Sequence, residues 1–141
     1  MEPELTTDQL LARVPLFAGL SHKDLRQVSS LATRLDLPEG KELTRQGQPG
    51  NEFLVILKGQ VEVRIDGEVV ATRGPGEYVG EIALLDDRPR TATVVAKTPV
   101  SVDVIGRREF MGLVATQPAI AEQLLATMAQ RLEDDAVRSP E

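Results

Sequence analysis

Gly80-Glu81 and, nine positions after the acid, Arg90 followed by the small residues Thr91 and Ala92 supply the groups needed to hold an anion that has a hydroxyl beside it. A glycine-acid pair opening the apolar run Ile82-Ala83-Leu84-Leu85 offers unpaired backbone N–H groups at the positive end of a short helix, which suits phosphate oxygens. Arg90 adds a planar fork that meets two such oxygens at once. Glu81, ionised and acceptor-only, repels a phosphate but can accept a hydrogen bond from a neighbouring sugar hydroxyl. The spacing therefore points to an anionic ribose ligand.

The stretch resembles the phosphate-binding cassette of the cyclic nucleotide-binding domain family, which includes protein kinase regulatory subunits, cyclic nucleotide-gated channels and the catabolite activator protein. Gly80-Glu81-Ile82-Ala83-Leu84 and Pro89-Arg90-Thr91-Ala92 fit that pattern. Leu57-Lys58-Gly59-Gln60-Val61-Glu62-Val63 and Arg107-Arg108-Glu109-Phe110 extend the likeness over about residues 14 to 132. The resemblance implies that Glu81 takes the ribose 2′-hydroxyl and Arg90 the cyclic phosphate. It also implies that Val79, Gly80, Ile82, Ala83, Thr91 and Ala92 line the cradle. The ligand is then cyclic AMP or cyclic GMP, since a hydroxyl at Thr91 permits guanine without requiring it. Family frequency favours cyclic AMP.

These residues need a scaffold, and the rest of the chain reads as one. Thr6-Thr7-Asp8-Gln9 starts a short helix that Pro15 stops, and Ser21-His22-Lys23-Asp24 starts another, with Leu25, Val28, Leu31, Ala32 and Leu35 as its apolar stripe. His22 is expected to be an exposed residue of that first turn. From Pro38 to Ile105 short strands are broken by Gly, Pro and Asp. Phe53 to Leu57 is a continuous apolar strand, Asp66-Gly67 is a two-residue hairpin turn, and Thr93–Ala96 and Val100–Ile105 are two further strands. Arg107 to Val114 reads as a helix. Pro118 opens a last one, with Ile120, Leu124, Met128 and Leu132 along one face and Leu125 beside them.

The expected fold is mainly β with flanking α-helices: an antiparallel jelly-roll barrel with N-terminal helices and a C-terminal helix. Residues 1–13 form an N-terminal helical segment, 14–132 the binding domain and 133–141 a polar tail. The last helix is expected to pack on the barrel or a partner, with Met128, Arg131 and Leu132 as lid candidates over the base.

Composition removes other readings. Without cysteine there is no disulfide or thiol nucleophile, and a single His cannot cage a metal. A jelly-roll oxygenase or isomerase would need several His or carboxylate ligands, so no catalytic residue, metal or cofactor is expected. The net charge of −6 opposes direct nucleic-acid binding. No apolar run approaches the ~20 residues of a membrane span and no signal peptide is visible, so a cytoplasmic location is expected. A sensing module is the leading function. Only nine residues follow Leu132, so its output is expected in a protein partner, in a homodimer or in residues beyond this sequence. The alternative is a scaffold of the same fold with an empty pocket, binding proteins through the last helix.

Overall fold

The computed structural model describes residues 7–80 and 89–138, with side chains over 9–80 and 89–130. Two helices and a 3-10 turn come first: α1 (Thr7–Ala12), Pro15–Phe17 and α2 (His22–Leu31). Ser21 caps α2 by accepting from the Asp24 amide at 3.2 Å, as the local sequence requires. Eight strands follow: β1 (Thr33–Leu37), β2 (Glu42–Thr44), β3 (Glu52–Lys58), β4 (Val61–Ile65), β5 (Glu68–Arg73), β6 (Tyr78–Val79), β7 (Thr93–Ala96) and β8 (Val100–Gly106). Helices α3 (Arg107–Thr116) and α4 (Pro118–Arg138) complete the chain as described.

The strands form two four-stranded sheets, ordered β1-β8-β3-β6 and β2-β7-β4-β5, with every pairing antiparallel. This is the jelly roll. Between the sheets lies an aliphatic core of Leu54, Ile56, Val61, Val79, Val94, Ala96, Val100 and Val102. The outer face of the first sheet carries a second core, in which Phe53, Val55 and Leu57 meet Leu11, Phe17, Val28, Phe110, Leu113 and Ile120 from the helices. Strand β3 is therefore covered on both faces, which is why its sequence is a continuous apolar run and not an alternating one. Each of its large side chains removed from water stabilises the fold by about 1.5–3 kcal/mol. Asp66 turns the β4–β5 hairpin at φ 52°, as the Asp-Gly pair anticipates.

Two elements depart from expectation. Helix α2 ends at Leu31, and Leu35 lies in β1 opposite Val102 of β8. Ala32 leaves the helix in extended conformation, and Thr33 then starts five residue pairs with the β-branched stretch of β8, so tertiary pairing overrides the helical spacing. Helix α4 continues through residues 133–138, placed in the tail above, because neither Gly nor Pro interrupts the chain between Pro118 and Ser139.

Candidate functional site

The β2–β3 turn fixes the backbone around Arg90. The Arg90 amide donates to the Gln48 carbonyl at 2.9 Å, and the Gly47 amide donates to the Arg90 carbonyl at 2.8 Å. Thr44 Oγ1 donates to the Ala92 carbonyl at 3.0 Å and the Gln46 amide donates to Thr93 Oγ1 at 3.0 Å. Residues 44–48 thus grip residues 90–93 at both ends, and the Arg90 side chain starts from a fixed base.

The guanidinium lies in a slot with two glycine walls. Nη2 donates to the Glu52 carbonyl at 2.9 Å. Gly80 has φ 88°, and a Cβ there would stand 2.7 Å from the Glu52 carbonyl oxygen and 2.9 Å from Arg90 Nη1. A Cβ on Gly50 would collide with Arg90 Nε. Only glycine leaves room for the fork. Nη1 itself is buried and finds no hydrogen-bond partner among the described residues. Burial holds the Arg90 pKa below its ordinary value, and the nearby Glu52 charge opposes that shift. The group stays cationic, so a half-buried positive charge with one buried, unsatisfied donor remains, which an anion would relieve.

Arg90 and Glu52 are part of the lining of a cavity of about 220 Å³ inside the barrel. Leu35, Leu37, Leu43, Leu54 and Val104 give it an apolar wall, while Lys41 and Glu42 add charge. Glu42 is already engaged by Arg45 Nε at 2.8 Å. A flat apolar moiety with an anionic end matches this division into aliphatic wall and cationic slot. Among the described residues no group of three or more His, Cys, Asp or Glu is placed to hold a metal ion, and no helix is long and apolar enough to cross a membrane.

Of the residues singled out in the sequence, Gly80 and Arg90 are brought side by side. Val79 is buried in the core between the sheets and Ala92 contributes its carbonyl to the β2 clamp, while the Thr91 side chain is exposed. Glu81, Ile82 and Ala83 lie outside the described residues. Met128 is not among the residues lining this cavity and packs, partly buried, against the helical core. Side chains of Arg131 and Leu132 lie outside those described. Glu52, Gly50 and Gln48 carry no signal of this role in the sequence. The turn-rich run Gln46-Gly47-Gln48-Pro49-Gly50 marks a loop, but nothing in it shows that the loop folds around an arginine forty residues on.

The family profile described as "Cyclic nucleotide-binding domain" matches residues 34–117. Over 108 residues the chain is 35% identical to the cAMP-dependent protein kinase regulatory subunit of Emericella nidulans, covering 75% of this chain and 26% of that protein. It is 29% identical over 130 residues to the CRP-like cAMP-activated global transcriptional regulator of Mycobacterium tuberculosis, covering 89% of this chain and 58% of that one. The chain thus spans from about a quarter to somewhat over half the length of these relatives. The crystal structure of the Thermus thermophilus catabolite activator protein superposes with a TM-score of 0.78 at 30% identity, over 88% of this chain and 61% of that one. With the barrel, the cradle around Arg90 and the profile match in agreement, the chain belongs to the cyclic nucleotide-binding domain family.

Proposed function

We propose that this chain is a cyclic nucleotide sensor, cytoplasmic and non-catalytic, that binds cyclic AMP in the barrel and passes the event to a protein partner or a second copy through its helices. The observation that carries the reading is Arg90 Nη1, buried without a partner among the described residues at the wall of an aliphatic cavity. The cyclic phosphate takes that donor. Glu81 accepts from the ribose 2′-hydroxyl, and Ile82, Ala83, Thr91 and Ala92 complete the cradle. The base lies against Leu35, Leu37, Leu43, Leu54 and Val104. Names of the relatives favour cyclic AMP over cyclic GMP.

Nucleotide changes the output only if it prefers one helix arrangement over another. Calorimetric titration with cyclic AMP and cyclic GMP side by side tests the reading. Cyclic AMP is expected to bind, with cyclic GMP weaker; heat from neither would refute it. A second reading, a protein-binding scaffold of the same fold, draws on Leu125, which is 68% exposed on α4. Partner capture independent of nucleotide and of Arg90 would favour it.

A further inference from the structure

Tyr78 occupies β6, two residues before Gly80, and its ring is almost wholly buried. The hydroxyl lies in hydrogen-bond contact with Thr127 Oγ1 on α4. Thr127 Oγ1 also donates to the Leu124 carbonyl at 3.0 Å. A threonine hydroxyl has one proton, so Tyr78 is the donor and Thr127 the acceptor of the contact between them. The Tyr78 ring sits 5.2 Å from that of Phe53, which is 4.9 Å from Phe110 on α3. Phe53 directly follows Glu52, whose carbonyl holds Arg90.

The two segments beside the guanidinium, β3 at Glu52 and Gly80 just after β6, are therefore joined through the Phe53–Tyr78 ring pair. From that pair one covalently short step leads to the anion slot and one hydrogen bond leads to α4. Beside the bond lies a cavity of about 180 Å³, walled by Pro15, Gly76, Tyr78, Thr127 and Gln130 among others. Close packing would pin the helix wherever the hydroxyl were placed, but a void beside the joint leaves room for α4 to shift against the 3-10 turn when the bond lets go.

We infer that the Tyr78–Thr127 hydrogen bond is the latch that couples occupation of the Arg90 slot to the position of α4. The inference rests on the proposed nucleotide-sensing function for its ligand, and Tyr78 acts as a positioning residue, touching no nucleotide itself. Any displacement of Gly80 or Glu52 by the phosphate is delivered to Tyr78 through two adjacent backbones and a ring contact. The latch converts it into a pull on Thr127.

The test is amide hydrogen exchange over residues 118–134 in wild type, Tyr78→Phe and Thr127→Val, with and without saturating cyclic AMP. Phe keeps the ring contact with Phe53, so the barrel is expected to fold. Without nucleotide, either substitution is expected to speed exchange around 124–130 by about two- to tenfold, the effect of one neutral hydrogen bond on local opening. With nucleotide, wild type is expected to show a change in these amides that both variants lose, although calorimetry still registers cyclic AMP binding to them. The double variant should behave like either single one, as expected for partners in one interaction. Unchanged exchange in Tyr78→Phe without nucleotide would overturn the latch whatever the ligand does. So would a nucleotide response as large in Tyr78→Phe as in wild type. Failure of wild type to bind cyclic AMP would instead refute the sensing function, which leaves the two failures distinguishable.

Discussion

Two arginines sit at sheet 1, and each is associated with one buried polar atom that has no partner among the described residues: Nη1 of Arg90 itself, and Oδ2 of Asp103, which pairs with Arg34. Arg34 Nε meets Asp103 Oδ1 at 3.0 Å, with the carboxylate side chain 1% exposed and the guanidinium 30% exposed. Val102 and Val104, either side of Asp103, pack toward the barrel interior, so Asp103 lies on the opposite face, under the helices. There the two charges cancel. Among the described residues the hydrogen-bond partner of the Arg90 guanidinium is a neutral carbonyl, the Glu52 carboxylate acts on it only through space, and it borders a cavity. The difference separates an ion pair that closes a joint between β1 and β8 from a cation with one donor unfilled, which the proposed function assigns to the nucleotide phosphate. Burial and an unpaired atom do not by themselves mark a binding site. On the proposed function, what sets Arg90 apart is a buried donor left unfilled beside open space.

Arg90→Ala should separate the two most strongly. Nucleotide binding is expected to weaken by about 2–5 kcal/mol, the usual result of truncating one member of a buried charge pair, or roughly thirty-fold to several thousand-fold in dissociation constant. Unfolding free energy should move by less than about 1 kcal/mol, since the lost bond to Glu52 is partly offset by removal of a desolvated cation. Asp103→Ala is expected to give the reverse pattern: about 1–3 kcal/mol of stability lost in urea unfolding, with cyclic AMP affinity within about threefold of wild type. The stability loss is held down because Arg34 can still reach water. If Asp103→Ala weakened nucleotide binding as much as Arg90→Ala, the contrast between the two regions would be mistaken.

Much of this arrangement was legible in the chain. The continuous apolar run of β3, the Asp66-Gly67 turn, the limits of β7 and the Pro118 helix start follow from local chemistry, and all are found in place. The Gly80 to Arg90 spacing singled out two residues that do become neighbours. The other parts of the site are acceptors and walls without a side-chain signature. The Glu52 group that holds Arg90 is a backbone carbonyl, which every residue owns, and Gly50 matters through a missing Cβ. Leu35 reads as helical because its spacing from Val28 and Leu31 is helical, yet its strand partner Val102 lies 67 positions later. No local pattern carries that pairing.

Smaller effects sharpen the comparison further. Gly80→Ala places a Cβ at φ 88° against the Glu52 carbonyl, and backbone cannot swing aside as a side-chain tip can. About 1–2 kcal/mol of binding should be lost, with a similar fall in unfolding free energy, as is usual for a non-glycine residue forced into the left-handed region. Calorimetry and urea unfolding of the same preparation check both halves; unchanged binding would mean that the wall at Gly80 does not shape the slot. Glu81→Gln is expected to cost less than about 1.5 kcal/mol of affinity, because the amide keeps an acceptor and loses only the charge-assisted part of the bond. A 2′-deoxy analogue binding wild type as well as the ribonucleotide would remove Glu81 from the role of ribose acceptor.

The central claim is that the phosphate of the nucleotide satisfies the charge left over on Arg90. Titrating cyclic AMP and adenosine, which lacks the phosphate, into wild type and Arg90→Ala by calorimetry tests it as a closed thermodynamic cycle. Wild type is expected to prefer cyclic AMP over adenosine by at least about thirty-fold, the lower end of the loss expected for a truncated buried charge pair, and Arg90→Ala to hold the two with nearly equal, weak affinity. Equal preference for cyclic AMP in wild type and Arg90→Ala would contradict the claim, because the phosphate would then be held somewhere else.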